Sequence, residues 1–410
     1  VGLVHNESKQ IMKDNVVSTK YKLASVGVLL MGTALFGASQ WVGTFVDAHP
    51  HTHETAPADV RTDPGTRVLE MSTLSNMDGL MNRLADRQVV FVGETHDRYD
   101  HHLNQLAVIE GMYAQNPNLA IGLEFFQQPF QEYLDRYVAG EIGERELIRK
   151  TEYYNRWRYD YRLYRPILRF AREKRIPVIA LNIPTELSRK VAREGLDSLD
   201  KEEKAYVPAQ MDGSDEKYRQ RIKKVFSHHP MAEDIQFDNF FAAQLLWDEA
   251  MAERAARHLA ENPEARMVLL AGTGHLEYGQ GIPRRLLRRQ PVASAIILNQ
   301  AHHGLEPDLA DFLLFPERID LPRSGLLGVM LDLDGDGVTV KDFGDDSPAE
   351  NAGLKTGDRI LTIAGASVES YSDIRLTLMD RRPGEEVPVE VKREHMILGD
   401  ERLSYQVKLQ

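Results

Sequence analysis

Four side chains of metal-binding or proton-moving type each follow a short apolar run. Glu94 and His96 stand in Gly93-Glu-Thr-His-Asp97 after Val89 to Val92, Glu124 comes after Leu119 to Leu123, and His275 ends Gly272-Thr-Gly-His275 after Met267 to Ala271. Two carboxylates and two imidazoles brought together could hold a divalent cation, their oxygen and nitrogen donors suiting zinc, manganese or iron. The same groups could instead relay protons without a metal, with Glu94 or Glu124 as general base and His96 and His275 as ligands or proton carriers of a hydrolase acting on an ester or peptide. Singly, each would serve equally well as a cap for the next helix; all four in the same place argue for a site. Asn182 follows Ile176 to Leu181 in the same way, and His101 or His102 could turn back toward Glu94. The stretch Tyr153 to Tyr164 reads YYNRWRYDYRLY. Its rings suit a flat hydrophobic ligand whose carboxylates pair with Arg156, Arg158 or Arg162, or else pack a helix onto a sheet. Gly272-x-Gly274 is no phosphate loop, because Glu277 stands where the third glycine would be.

The elements that must position these residues are the apolar runs themselves. Four of them, with Ala293 to Leu298 as a fifth that closes the domain, alternate with helical patterns over Arg98 to Gln115, Tyr161 to Lys174, Pro184 to Glu194 and Asn239 to Leu259. That alternation predicts an α/β fold, a parallel sheet with helices on both faces. Ligands of such sheets bind beyond the carboxyl ends of the strands, where the polar residues fall. Leu199 to Pro230, charged and irregular, reads as a lid or a solvated insertion.

With 410 residues, 42% apolar and 27% charged, the chain predicts two or three folded domains rather than disorder or a polytopic membrane protein. Lys and Arg total 50 against 62 Asp and Glu, a net charge of −12 that argues against nucleic acid as a partner. The absence of cysteine removes disulfides, thiolate chemistry and iron–sulfur clusters. Leu23 to Val46 carries no charge and is long enough to cross roughly 30 Å of hydrocarbon. Lys9, Lys13, Lys20 and Lys22 precede it, which places the N-terminus in the cytoplasm and the remainder in the periplasm or otherwise outside the cytoplasm. An uncleaved inner-membrane anchor, one N-terminal transmembrane helix, is favoured over a signal cleaved near Ala48. The expected organisation is a cytoplasmic segment at 1–22, the span at 23–46, a linker at 47–67, the α/β domain at 68–315 and a second domain at 321–410. His49, His51 and His53 could hold a metal, but their setting reads as a solvated tether.

The motif order resembles the ChaN-like haem-binding uptake family, whose fold is related to the erythromycin esterase and Tiki/TraB proteins. The residues that carry the resemblance are Val90-Phe-Val-Gly-Glu-Thr-His96, Gly122-Leu-Glu124, Tyr161-Arg-Leu-Tyr-Arg-Pro166, Ala180-Leu-Asn-Ile-Pro184, Ala243-Gln244, Trp247-Asp248, Met251-Ala252, and Ala271-Gly-Thr-Gly-His275 leading to Gly281-Ile-Pro283. The resemblance implies a cell-envelope protein of haem or iron acquisition, often with a tyrosine on the haem iron and two protomers facing each other, hence a homodimer. Tyr154, Tyr164 and Tyr278 are the candidate ligands, with Arg158 and Asn182 beside them.

After Pro316 the chain turns to short β runs. Leu326-Leu-Gly-Val329, Asp346 to Leu361, Ser372 to Met379 and Val387 to Val391 resemble a PDZ domain of the bacterial protease-associated kind. This implies a small, mainly-β domain that docks the C-terminus of a partner, its carboxylate on Leu326, Leu327, Gly328 and Val329 and its side chain against Ile374 and Leu378. With a relic crevice, the chain would be a scaffold or interaction protein whose PDZ domain carries the function. Asp332-Leu-Asp-Gly-Asp-Gly337 starts like a calcium loop but has Phe343 at its twelfth position, so it reads as a turn.

Overall fold

The structure, a computed structural model, describes residues 75–228, 234–299, 306, 308–333, 337–395 and 399–410. The expected span at 23–46, its flanks and the His49 to His53 stretch lie outside the described residues. Among the described residues no helix is long and apolar enough to cross a membrane.

The first domain runs α1 (Met77–Arg83), β1 (Val89–Glu94), α2 (Tyr99–Gln115), β2 (Leu119–Gln127), α3 (Gln131–Ala139), α4 (Glu144–Lys150), α5 (Tyr153–Arg156), α6 (Arg165–Lys174), β3 (Val178–Asn182), α7 (Thr185–Glu194), α8 (Glu216–Ser227), α9 (Phe237–Glu261), β4 (Arg266–Gly272), α10 (Ile282–Arg289), β5 (Ser294–Asn299) and β6 (Phe312–Leu314). The strands form a parallel sheet in the order β3-β2-β4-β1-β5-β6. Strands β1 to β4 are buried along their whole length, which is why they read as near-continuous apolar runs instead of alternating ones. One apolar core lies under α1 to α6 and another under α7 to α10. In α9, Ala243, Ala250, Ala252, Ala255 and Ala256 are buried, and such small side chains let the helix lie close to the sheet.

Three expectations need correction. Ala293 to Leu298 does not close the sheet, because β6 pairs with β5; its three residues are too few to show a period. Tyr153 to Tyr164 is not one helix but the four-residue α5, an irregular stretch and a 3-10 turn. Leu199 to Pro230 is no mere solvated insertion, since α8 buries Tyr218 and Ile222 in the second core.

The second domain contains β7 (Val329–Asp332), β8 (Val338–Phe343), α11 (Pro348–Ala352), β9 (Arg359–Ile363), β10 (Ala366–Ser367), α12 (Tyr371–Leu378), β11 (Glu386–His395) and β12 (Gly399–Lys408). Its sheet is antiparallel, in the order β12-β11-β9-β8-β7 with β10 on β9, so β7 is an edge strand. A capping box of Ser370 and Asp373 starts α12. Ile374 and Leu378 point into the β-domain core, whereas Leu376 and Met379 belong to the core of the α/β domain. Ion pairs Arg149–Asp373 at 2.8 Å and Arg375–Asp160 at 3.0 Å, with Arg165 on Asp380, join the two domains.

Candidate functional site

The register of the sheet sets the depth of the site. Glu94 at the end of β1 lies opposite Gly272 at the end of β4, and Leu123 of β2 lies opposite Leu270. The pairing of β2 with β3 slips between Leu123 and Gln127, an irregularity of the sort that re-aims side chains, and Glu124 sits in it. A 3-10 turn, Thr273–His275, then carries His275 to the same edge. Glu94, His96, Glu124 and His275 are 4%, 3%, 2% and 2% exposed, so the structure brings all four into one buried crevice.

Each carboxylate and imidazole uses one polar atom within the protein. His96 Nδ1 pairs with Glu94 Oε1, His275 Nδ1 pairs with Asp248 Oδ1, and Glu124 Oε2 accepts from the Gly272 amide at 2.7 Å. The other atoms, Glu94 Oε2, His96 Nε2, Glu124 Oε1 and His275 Nε2, are buried without a hydrogen-bond partner. Buried polar atoms are rarely left so, and a group of four calls for an occupant. His275 Nε2 is 3.5 Å from Glu124 Oε1, and among the described residues Glu94, His96 and Glu124 each offer a ligand atom within 4.8 Å of one another. Asp248, which also accepts from the Tyr218 hydroxyl at 2.7 Å, fixes the ring of His275 as carboxylates behind metal-bound histidines do.

Burial works against charge on His96, but the Glu94 carboxylate prevails and raises its pKa to about 9. Burial likewise opposes Glu94, whose pKa is nevertheless lowered by His96. His275 is raised, Asp248 and Glu124 outweighing desolvation, and Asp248 is lowered against its own burial by His275. The crevice is thus held together by opposite charges that a cation would share.

Asn182 lines the crevice and donates to Glu124 O at 3.1 Å. Trp157 and Tyr159 roof it, their ring centroids 4.7 and 5.0 Å from that of His96. His102 stands under it, Nε2 4.0 Å from Glu94 Oε2, while His101 accepts from the Thr95 amide at 3.0 Å. Arg158 is exposed. The cavity volume is about 30 Å³, room for an ion or a water but not for a porphyrin. Haem therefore does not fit inside the crevice. Tyr154 and Tyr164 do not fit as its ligands either, since both are 1% exposed in the core. Burial pushes the Tyr154 phenol up to about 12 and that of Tyr164 well above its ordinary range.

Tyr278 differs. It lies three positions after His275, half-buried, in a left-handed backbone conformation (φ 58°) that is strained for a non-glycine residue. Its hydroxyl donates to Glu306 at 2.6 Å. Arg221 of α8 braces the same turn through Gly274 O at 2.9 Å and keeps a buried, unpartnered Nη2. This rim carries a phenol, which burial and the Glu306 carboxylate push up to about 12, and the Arg221 guanidinium, which also pairs with Glu277 at 2.5 Å. Sequence reasoning missed Asp248, Tyr218 and Arg221, which come from helices whose periodicity shows only packing.

The chain is thus a parallel α/β domain with a buried carboxylate–imidazole crevice joined to a small antiparallel β domain. The first domain belongs to the haem-binding uptake family of the Tiki superfamily, ChaN, whose family model matches residues 80–286, half of the chain, and a PDZ domain model matches 325–409. Protein RETICULATA-RELATED 5, chloroplastic, of Arabidopsis thaliana is 24% identical over 264 residues, 59% of this chain and 33% of that protein. Serine protease Do-like HtrB of Bacillus subtilis is 38% identical over 86 residues, 21% of this chain and 18% of that protein. The chain thus spans about a third and under a fifth of these relatives' lengths. Among solved structures, that of cofacial heme binding to ChaN of Campylobacter jejuni shares 16% identity and a TM-score of 0.49, over 58% of this chain and 91% of that one.

Proposed function

We propose that this chain is a haem-binding protein that seats haem on the rim of the crevice, at Tyr278, and docks a partner's C-terminus through its PDZ domain. Tyr278 carries this reading: of the three candidate tyrosines it alone reaches the surface, with a strained backbone and a carboxylate on its hydroxyl. Arg221, paired with Glu277 at 2.5 Å, is the cation beside Tyr278 that a propionate would have to share. The edge strand β7 and the exposed Leu326 and Met330 support strand addition by a peptide, with its carboxylate near Gly328, whose positive φ of 73° forms the loop. The charge-free stretch at 23–46 is the ground for a membrane tether with both domains outside the cytoplasm. Haem titrated into the full chain should give a Soret shift that saturates at a fixed stoichiometry. Absorbance that grows without saturation would overturn the reading.

A second reading is favoured by the four unpartnered ligand atoms: a divalent cation inside the crevice and hydrolysis of an ester or peptide. A cation there supplies a Lewis acid and a water of lowered pKa. Glu94 or Glu124 would hold the proton taken from that water, and Asp248 would keep His275 oriented. Uptake of zinc or manganese that is lost in H96A and H275A, without saturable haem, would favour this reading over the first.

A further inference from the structure

The mouth of the crevice collects positive charge that the fold leaves unbalanced. Arg158 stands in the roof between Trp157 and Tyr159, both of which line the cavity, and its left-handed backbone (φ 71°) is of the strained kind that clusters at ligand sites. Thr185 at the start of α7 also lines the cavity, and Arg189 and Arg193 follow it at intervals of four, along one side of the helix. The nearby acids are already engaged. Glu152 and Glu186 both pair with Arg156, at 2.7 and 2.9 Å, and Glu194, the other acid of α7, acts on Lys190. Among the described residues Arg158, Arg189 and Arg193 have no ion pair, and Arg189 Nε is buried without a hydrogen-bond partner.

This arrangement is unfavourable in the free protein. Burial and the Arg158 guanidinium hold Arg189 below the usual arginine range, with Glu186 opposing them and Arg193 and Arg156 adding to them. A lysine or histidine so placed would shed its proton, but a guanidinium keeps its charge, so an anion is what relieves the repulsion. An excess of basic residues does not explain the cluster, because the chain carries a net charge of −12. The anion has to sit outside, on the arginines, since the cavity of about 30 Å³ is small and holds the carboxylates of Glu94 and Glu124. At the other rim Arg221 is paired with Glu277, so the open guanidiniums are those of the roof and α7.

We propose that Arg158 and Arg189 bind a carboxylate of the crevice ligand, with Arg193 adding attraction from one turn further along α7. The inference rests on the reading of the crevice and its rim as the ligand site. A guanidinium fork matches a carboxylate with two parallel N–H donors, and the open Nε of Arg189 is one such donor. Haem would supply the carboxylate from a propionate, and an ester or peptide substrate would supply it from a free acid group.

The test uses the full chain in mild detergent. Haem and haem dimethyl ester, in which both propionates are blocked, are titrated against protein-free blanks, and succinate is titrated at constant ionic strength with Tm as the readout. Wild type should bind haem about tenfold more tightly than the ester, and R158A or R189A should remove most of that difference by weakening haem alone. R189K, which restores the charge without the fork, should recover only part of it. R169A, which removes an exposed arginine of α6 that pairs with Glu144, should behave as wild type. Succinate should raise Tm saturably in wild type and leave R189A unmoved. Equal affinity for haem and its ester without a succinate effect overturns the carboxylate site and leaves the haem reading standing. A succinate effect that persists in both R158A and R189A overturns it as well. Loss of that effect in R189A, in a chain that binds neither porphyrin saturably, supports the carboxylate site and refutes the haem reading. With neither porphyrin binding nor a succinate effect, both fail.

Discussion

His275 is held from behind by Asp248, and Asp248 in turn by Tyr218, leaving only Nε2 to face the crevice. Asp248→Asn should therefore weaken zinc or manganese binding by about 10- to 100-fold in calorimetric titration, the usual cost of losing a carboxylate behind a metal-bound histidine. Unchanged affinity would mean that His275 is no ligand. The His96–Glu94 pair predicts a pH dependence. With a folded pKa raised from 6.5 to about 9, protonated His96 stabilises the metal-free fold; that contribution is whole below pH 6.5 and is lost as pH rises through about 9. Urea midpoints of the metal-free chain should accordingly fall over that window, and H96A should flatten the fall. Glu94, His96, Glu124 and His275 could be read from the sequence because each directly follows a strand. Asp248 could not: it lies within a long helical period where an acidic residue reads as a solvated face, although Trp247-Asp248 belongs to the family motif.

The strands announced themselves by composition and the turns by glycine, but the close approaches between them had no sequence signal. Gly281 is such a place: a Cβ there would lie 2.1 Å from His275 O and 2.9 Å from an Asp248 oxygen. Gly281→Ala should cost about 1–3 kcal/mol by overpacking and displace His275, lowering Tm and metal affinity together. A Tm unchanged from wild type would show that the turn yields freely. The irregular strap after α5 was equally hidden, because rings and arginines at that density fit a packed helix as well as a ligand wall. The contacts of Trp157 and Tyr159 with the His96 ring mark it as a roof.

The two domains share α12, which sends Ile374 and Leu378 into one core and Leu376 into the other, whereas a solitary PDZ domain needs only one buried face on that helix. The PDZ motifs were legible in order and spacing, yet nothing in them disclosed that Leu376 and Met379 would be buried in another domain's core. A chain beginning at Ala56, which lacks the charge-free stretch at 23–46, should stay monodisperse without detergent; a detergent requirement would reveal a second membrane surface. The central claim, haem seated on the rim at Tyr278, is tested most directly by comparing haem-titrated Y278F with Y154F and Y164F. Y278F should lose the phenolate signature of the wild-type spectrum and bind haem at least about tenfold more weakly, while the two core variants keep the wild-type spectrum. A wild-type spectrum in Y278F, or its loss in Y154F or Y164F alone, would contradict the account.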